Sequence, residues 1–454
     1  MGSTKKVTFT ILSTILIISM LLSGCTSTKP TNQSEGSSKA AETAAETKAE
    51  EKVTIRIMTR YSGTDATTPI LEAALKEFAV MYPYITVQND SVNDEAAYNN
   101  KLKTDIATGS PPNFFYMPGV ASNVEYAKNG LLMDITPLME DKEFMDGFIP
   151  GMFETWNFEQ YGVEGYYGIP FSIGVENFYY NKDLFAKAGI EQVPETMEDL
   201  YEVIDKLKAA DIVPWEVGAK ATWRTGHIHN FLMYKYLGVD MVKALGSRDA
   251  KWTDPEVVAT LELLKDLKDR GAFQPNLEGE DYDTEKANFL SGKAAMVLNG
   301  SWFVGDVINS DIKDKIGMFP FPYFSDKPQF KDDVSVFPQG FYLSGKMTEA
   351  EKDATFKWVK FFCGKELQSK MVSEIQRLSA RDDIKVDESK LSPLFLDVQN
   401  FVSTIKNPGG DSFDFDPLPS MQDRTRNSII GMLLGNSAIE AAEEIQNEID
   451  RSIQ

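Results

Sequence analysis

The sequence predicts an α/β fold, because short apolar strand patterns alternate with amphipathic helix patterns along most of the chain. Residues 53–58 alternate in hydrophobicity with period two, as a strand does, and residues 68–78 then place apolar side chains at helical spacing. A strand at 85–87 and a helix at 98–106 repeat this order. Such alternation favours mostly parallel sheets, in which ligands bind beyond the carboxyl ends of the strands.

The later elements follow from the same patterns. Residues 113–116 are predicted to form a third strand, and Thr196 is expected to cap a helix. Pro255 begins another helix, and Gly271 closes it. Residues 294–298 form a short apolar strand, and the chain after about residue 350 is mainly helical. Three segments that follow strands are therefore candidates for ligand contact: Arg60-Tyr61-Ser62, Tyr116-Met117-Pro118 and Asn299-Gly300-Ser301-Trp302.

Composition excludes several classes of protein. The 454 residues include 46 Lys and Arg against 68 Asp and Glu, which gives a formal net charge of −22. This balance argues against a nucleic-acid-binding protein and against attachment to anionic lipid through basic patches. Only two Cys and two His occur, so a Cys/His zinc framework and a cluster of haem or iron–sulfur ligands are excluded. The length suffices for two or three ordinary domains.

The first residues have the layout of a secretory signal. Lys5 and Lys6 precede an apolar stretch from residue 7 to residue 22, which then meets small residues. Leu22-Ser23-Gly24-Cys25 resembles the bacterial lipobox. We therefore predict a signal peptide at 1–24 and lipidation of Cys25, whose acyl chains would anchor the protein in a membrane. The alternatives are an uncleaved signal anchor and a plain secreted protein.

The region after Cys25 lacks the side chains that a core needs. Residues 26–52 are rich in Ser, Thr, Lys, Ala and Glu, so 25–52 are predicted to form a flexible tether that begins at the lipidated cysteine. Its mean reach would be roughly 25–30 Å. The other cysteine, Cys363, lies in an apolar run and is expected to be a small buried hydrophobic residue. With Cys25 acylated, no intramolecular disulfide is expected.

Four sequence blocks then occur in order along the chain. They are Tyr98-Asn99-Asn100-Lys101-Leu102 to Ile106-Ala107-Thr108-Gly109 with Pro112 and Phe115-Tyr116, then Gly130 to Leu138, then Gly168-Ile169-Pro170-Phe171 with Phe178 to Phe185, and finally Phe289 with Gly292 to Met296 and Asn299 to Trp302. As an ordered set they resemble the bacterial extracellular solute-binding proteins, in the sugar-binding family related to maltose-binding protein. Asn113 departs from the family, which often has Asp there, and an amide alters the charge preference.

This resemblance implies a two-lobed, periplasmic-binding-protein-like α/β fold with a hinge and a ligand cleft between the lobes. Crossing segments are expected near 168–175 and 317–322. Such lobes close around a ligand by hinge motion, and a ligand that contacts both lobes favours the closed state. The expected lobes are 53–172 plus 323–372 for the first, and 173–322 plus 373–454 for the second.

A sugar has apolar C–H faces and a rim of hydroxyls, so its site needs aromatic rings for the faces and polar side chains for the rim. Position along the chain or the resemblance selects fourteen candidates. From position these are Tyr61, Asn113, Tyr116, Glu176, Trp223, Arg224, Asn299, Ser301, Asp414 and Asp416. From the resemblance come Trp302 as a stacking ring, Gln339 and Phe341 around a glycine-containing loop, and Arg381 in a turn that lacks the family's Pro.

Each candidate has an ordinary structural alternative. Trp302 could belong to the core and Trp223 to a packed surface, Glu176 could end a solvated strand, and the acidic residues Asp414 and Asp416 could form an exposed loop. Acidic sugars would need Arg or Lys in the cleft, and the arginines considered for this are Arg60, Arg224 and Arg381.

Metal and catalytic sites have weaker support. His227 and His229 are two positions apart, so on a helix their side chains point in different directions. Asp411, Asp414 and Asp416 lack the turn glycine and closing Glu of a calcium loop. No G-x-S-x-G, P-loop or H-E-x-x-H motif occurs. The 68 Asp and Glu leave room for a carboxylate pair that cleaves glycosides, but nothing in the sequence singles out one pair. No metal, no cofactor and no particular catalytic residue are therefore expected.

Two functions from different classes fit these observations. The first is a lipid-anchored binding protein, not an enzyme, that captures a carbohydrate, in particular an oligosaccharide, at the extracytoplasmic face of the cell membrane. Its partners would be the permease subunits of an ABC importer, with no nucleic acid, and a monomer is expected. The alternative is a lipid-anchored, secreted carbohydrate-active enzyme, a glycosidase or a lyase, which explains the acids and aromatics but not the ordered blocks. A binding subunit that feeds a sensor is a third possibility.

Overall fold

The computed structural model describes residues 51–418 and 420–453, with the side chains of Phe337 and Ile453 left aside. The predicted signal peptide, Cys25 and the tether up to residue 50 lie outside these ranges. Within the described ranges, no helix has both the length and the apolar character needed to cross a bilayer.

Nine strands of the described part of the chain form the sheet, in the order β2-β1-β3-β8-β4-β6-β5, with β7 paired to β4 and β9 paired to β8. The strands are β1 Val53–Met58, β2 Ile85–Asn89, β3 Phe114–Tyr116, β4 Gly168–Asn181, β5 Val213–Trp215, β6 Ala294–Gly300, β7 Ile316–Phe319, β8 Asp333–Leu343 and β9 Asn407–Gly409.

Eighteen α-helices are present among the described residues. They are α1 Thr68–Met81, α2 Glu95–Ala107, α3 Val124–Lys128, α4 Thr136–Met139, α5 Lys142–Met145, α6 Lys182–Lys187, α7 Met197–Ala209, α8 Trp223–Leu237, α9 Val239–Gly246, α10 Pro255–Asp269, α11 Tyr282–Leu290, α12 Val304–Ile308, α13 Glu349–Phe362, α14 Lys365–Ile375, α15 Pro393–Thr404, α16 Ser412–Phe415, α17 Met421–Leu433 and α18 Ala438–Ile453. Short 3₁₀ turns join several of them, including Ser301–Phe303.

The sheet is mixed, so the prediction of mostly parallel sheets is wrong. β1 pairs in parallel with β2 and β3, but β3 pairs antiparallel with β8, and β4 pairs antiparallel with β6, β7 and β8. The physical reason is that hydrophobic periodicity reports which residues are strands and carries no information about the direction of the neighbouring strand. The α/β class itself is confirmed by the order of elements.

Local signals account well for the helices. The predicted cap of α7 is present, because the Thr196 side chain accepts from the Asp199 backbone N–H and the Asp199 carboxylate accepts from the Thr196 N–H. α10 begins at Pro255, and Gly271 just beyond its end has a φ of +75°. α1 has Pro69 in its first turn, and its N-cap Thr67 makes no capping hydrogen bond with its side chain.

Apolar side chains gather in two main cores. The larger core contains Phe178 and Tyr179 of β4 together with the inward faces of α7, α8 and α10. The smaller core contains β1, α1 and α13, and a satellite cluster around Tyr98 and Trp156 packs on the opposite face of the same strands. Cys363 is buried in the smaller core, as predicted, and this burial raises the pKa of its thiol well above the usual value.

Two long strands run from one core to the other. Ile169 and Phe171 of β4 pack in the smaller core, while Val175 and Phe178 pack in the larger one. β8 does the same, with Val334 in the larger core and Phe341 in the smaller. Eleven residues of strand span roughly 35 Å, which is enough to reach between cores.

The expected second crossing near 317–322 is therefore misplaced. Phe319 and Phe321 lie within the larger core, and the chain leaves that core only along β8. The misplacement has a simple cause, since an apolar strand that crosses between cores has the same pattern as one that ends inside a core. The exact lobe bounds remain a prediction.

Candidate functional site

A cavity of about 450 Å³ lies between the two cores, within the size range of small-molecule sites. One side is formed by residues at or just beyond the ends of β1 and β3, including Tyr61 and Tyr116. The other side comes from the first turns of α8 and α11 and from the 3₁₀ turn after β6. Gln339 of the crossing strand β8 also lines the cavity.

Three rings form an aromatic wall on the larger-core side: Trp223, Tyr282 and Trp302. The ring centroids of Trp223 and Tyr282 are 5.0 Å apart with an interplanar angle of 62°, and those of Trp223 and Trp302 are 6.2 Å apart. Tilted aromatic contacts of this kind stabilise one another beyond their buried area. The wall therefore presents a broad apolar surface in a defined shape.

Hydrogen bonds hold the polar edges of the aromatic wall. The Trp302 indole Nε1 donates to the Tyr282 hydroxyl at 2.9 Å, and that hydroxyl donates to Asn299 Oδ1 at 2.9 Å. Asn299 itself is fully buried in β6, and its Oδ1 also accepts from the Gly300 backbone N–H. Asn299 therefore acts on the cavity through Tyr282 and does not line it.

A buried ionic network lies behind the wall. The Arg224 guanidinium is 2.8 Å from the Glu285 carboxylate and 3.4 Å from that of Glu176, and its carbon lies 4.4 Å from the Trp223 ring centroid. It also donates to the Leu298 carbonyl. Burial alone would lower the pKa of Arg224, but the two carboxylates outweigh burial and raise it. The charge on Arg224 is thus maintained beneath an aromatic ring.

The His227 imidazole connects this ionic network, through Glu176, to the Asp411 carboxylate. Its Nδ1 is 3.0 Å from Glu176 Oε2, its Nε2 is 3.4 Å from Asp411 Oδ2, and its ring packs on Trp223. Burial lowers the pKa of His227, but the carboxylates of Glu176 and Asp411 more than reverse this and raise it to about 9. Nearby, burial and then the charge of Asp411 raise the pKa of Asp414 to about 7.

We expect His227 to stabilise the fold at neutral pH and to lose this effect in alkali. Its folded pKa of about 9 exceeds the ordinary 6.5, so the contribution is complete below pH 6.5 and lost as the pH rises through 9. The difference corresponds to about 3 kcal/mol. Urea unfolding from about pH 6 to about pH 10 should therefore show a steeper alkaline loss for the native protein than for His227→Gln. Parallel pH profiles would contradict the assignment.

The smaller-core side combines a ring with cations. Tyr61 packs against Phe341 at 6.2 Å between centroids, edge to face, and the Arg377 guanidinium carbon is 5.1 Å from the Tyr61 ring centroid. Arg377 donates to Gln339 Oε1 at 2.8 Å and to the Thr67 hydroxyl at 3.2 Å. Burial raises the pKa of the Tyr61 phenol, so it stays protonated and can act as a donor.

Seven of the fourteen predicted site residues line the cavity. They are Tyr61, Tyr116, Trp223, Trp302, Gln339, Phe341 and Asp414. The structure places the other seven elsewhere: Asn113, Glu176, Arg224, Asn299, Ser301, Arg381 and Asp416.

Four of these seven lie directly behind the cavity. Glu176, Arg224 and Asn299 belong to the networks behind the aromatic wall, and Ser301 donates to the Ile173 carbonyl of β4. Glu176 and Asn299 lie within strands, Arg224 lies in the first turn of α8 and Ser301 directly follows β6, but the polar group of each turns inward to a buried partner. A buried charge or amide needs an ion-pair or hydrogen-bond partner. These side chains therefore point toward their buried partners and not into the cavity.

The remaining three side chains have partners outside the cavity lining. The Asn113 side-chain oxygen accepts from the Arg56 backbone N–H at 2.7 Å. Arg381 pairs with Asp383 at 2.8 Å and donates to the Phe144 carbonyl within the smaller core. Asp416 pairs with Arg248 at 3.0 Å. Their polarity therefore has a structural explanation, and we do not include them among the proposed ligand contacts.

Several residues that line the cavity were not selected from the sequence. Tyr282 and Lys286 are four positions apart at the start of α11 and so share one face, which is the only local signal they offered. From the sequence, His227 and Asp411 are candidates for metal ligands and not for sugar contacts. The other main additions are Asp65, Asn93, Glu95, Trp156, Tyr161, Arg377, Phe413 and Arg426. Among residues 51–418 and 420–453, no group of three or more His, Cys, Asp or Glu is placed to hold a metal.

Two cores joined by crossing strands, with a cavity between them, define a solute-binding protein. The chain belongs to the bacterial extracellular solute-binding protein family, whose model matches residues 62–369. The expected family and the two-lobed fold are thus confirmed. Proteins of this class bind solutes and are not enzymes, which removes the glycosidase or lyase alternative.

Individual relatives agree with this class. The chain is 26% identical over 285 residues to the multiple sugar-binding protein of Streptococcus mutans, covering 60% of this chain and 62% of that protein, so it spans less than two thirds of that relative. A solved chitin oligosaccharide binding protein is 28% identical, with a TM-score of 0.81 over 88% of this chain and 98% of its own. The maltose-bound MalE3 of T. maritima is 21% identical, with a TM-score of 0.70 over 88% and 99%, and shows the shared fold.

Proposed function

We propose that the protein captures a carbohydrate, in particular an oligosaccharide, in the cavity and delivers it to the permease subunits of an ABC importer. The observation that carries this proposal is the aromatic wall of Trp223, Tyr282 and Trp302 facing the cavity between two cores. Stacked rings suit the apolar faces of sugar rings, while Gln339, Arg377 and Lys286 provide hydrogen bonds for the rim. The names of the sugar-binding relatives support the same class of ligand.

Contacts across the cleft support a closing motion. Lys103 of α2 is 2.8 Å from Asp423 of α17, and the Thr64 hydroxyl donates to Asp283 of α11 at 3.1 Å. These pairs join elements that belong to different sides of the cavity. In our proposal the protein works as a monomer whose lobes have the bounds predicted above, except that the second crossing is β8. The lobes move about β4 and β8, and the ligand favours the state in which these pairs form.

Calorimetric titration with a panel of neutral and acidic oligosaccharides tests the proposal. At least one should bind with micromolar affinity, which corresponds to about −8 kcal/mol. Chromatography after long incubation should recover the sugar unchanged, because a binding protein does not convert its ligand. Absence of binding to every saccharide would overturn the carbohydrate assignment, and new products would overturn the binding-only role.

Lipid anchoring through Cys25 makes a separate prediction. In cells that express the full chain, the protein should fractionate with membranes, and Cys25→Ala should move it to the soluble or secreted fraction, because the variant has no thiol to acylate. Cys363→Ala is the matched control, since this cysteine is buried in the folded body. A Cys25→Ala variant that stays with membranes would contradict the anchor.

A further inference from the structure

Two arginines at the cavity differ from its other cations. Arg377 is 8% exposed, and its guanidinium donates only to neutral oxygens: those of Ser172, Thr67 and Gln339. Arg60 is half-buried and donates to the Asn93 backbone carbonyl. Within the described part of the chain, neither guanidinium has an Asp or Glu oxygen within the 4.0 Å of an ion pair.

The other Lys and Arg side chains that line the cavity, Lys286 and Arg426, each have carboxylates nearby that neutralise their charge. Lys286 is 3.3 Å from Asp283 and 3.5 Å from Asp306. Arg426 is 3.7 Å from Glu95 and 3.9 Å from Asp411. The protein thus neutralises Lys286 and Arg426 with its own carboxylates, but it leaves two other cavity-lining cations without one: Arg377 against the Tyr61 ring, and Arg60.

The carboxylates that line the cavity do not neutralise Arg60 or Arg377. Asp411 is bound by His227 and by the Asn230 amide, and Asp414 accepts from the Asp411 backbone N–H. Asp65 lines the same side as Tyr61, but its carboxylate accepts from the Thr67 backbone N–H at 2.8 Å and forms no ion pair with either arginine. A buried cation without an opposite charge is costly, and an anion from outside would relieve that cost.

We propose that Arg60 and Arg377 form a subsite for an anionic group on the carbohydrate, a carboxylate or a phosphate ester. This inference rests on the proposed function and narrows its ligand class to acidic sugars. Guanidinium groups suit both anions, because their planar donors match paired oxygens. Tyr61, adjacent to Arg60 in the chain and beneath the Arg377 guanidinium, offers a ring against which the sugar that carries the anion can pack.

The experiment compares matched pairs of sugars by calorimetric titration. One pair is a galacturonate oligosaccharide and its methyl ester, and the other is trehalose 6-phosphate and trehalose. At least one acidic member should bind about tenfold or more tightly than its neutral partner, as expected for charge-assisted hydrogen bonds. The first pair reports a carboxylate and the second a phosphate, so the two sources of negative charge are distinguished.

Variants then assign the preference to the two arginines. Arg377→Gln and Arg60→Gln should each bring the acidic and neutral members close to equal affinity, while the exposed Arg451→Gln, which removes the same charge from α18, should leave the preference unchanged. If the buried Arg377→Gln variant does not fold, the half-buried Arg60→Gln variant decides.

The outcomes separate this inference from the proposed function. Neutral sugars that bind as tightly as acidic ones, or a preference that survives the arginine variants, would overturn the anionic subsite while leaving carbohydrate binding intact. Failure of every saccharide to bind would overturn the proposed function, and the subsite with it.

Discussion

Replacing Trp302 with alanine is expected to weaken oligosaccharide binding about thirtyfold or more, equivalent to ~2 kcal/mol. Trp302 lines the cavity, and the hydrogen bond from its Nε1 to Tyr282 orients the indole. Removing the ring therefore removes both a stacking surface and part of the aromatic wall. Calorimetric titration with the tightest-binding sugar of the panel measures the effect.

A conservative variant separates the contribution of the aromatic ring from that of its hydrogen bond. Trp302→Phe keeps an aromatic face but loses the Nε1 donor, so it should retain much more affinity than Trp302→Ala. Thermal unfolding of both variants separates loss of the ring from loss of the fold. An affinity unchanged in Trp302→Ala, in a folded protein, would show that the ligand does not stack on this residue.

Replacing Arg224 with glutamine is expected to lower the free energy of unfolding by about 3–5 kcal/mol. The substitution leaves the buried carboxylates of Glu285 and Glu176 without their cation, and it removes support from beneath Trp223. Uncompensated charge in the larger core is the main cost, because the side chains of all three residues are at most 1% exposed. Urea unfolding at neutral pH measures the change.

Arg270→Gln is the matched control for this prediction. Arg270 pairs with Asp205 at 2.9 Å, but their side chains are 39% and 56% exposed, so solvent screens the pair. Its loss should cost at most about 1 kcal/mol. Equal destabilisation by the two substitutions would mean that burial of the Arg224 network does not determine its contribution to stability.

Part of the candidate site was predictable because its signals are local. Tyr61 and Trp302 follow strands and Tyr116 ends one, and strand ends are where ligands meet an α/β sheet. The same rule also selected Asn299 and Ser301 at the end of β6, but neither side chain lines the cavity. The end of a strand identifies a place in the fold, but the orientation of each side chain there depends on the buried group with which it forms a hydrogen bond.

The sequence by itself determined the α/β class, most helix and strand positions and the resemblance to solute-binding proteins, since periodicity, caps and motifs are properties of neighbouring residues. Only the tertiary structure decided which charges share the cavity. Arg377 reaches Tyr61, and His227 lies between Glu176 and Asp411, because β4 and β8 run between the cores and bring distant segments together. Contacts between residues so far apart in the chain leave no local pattern, so they appear only when the chain is folded.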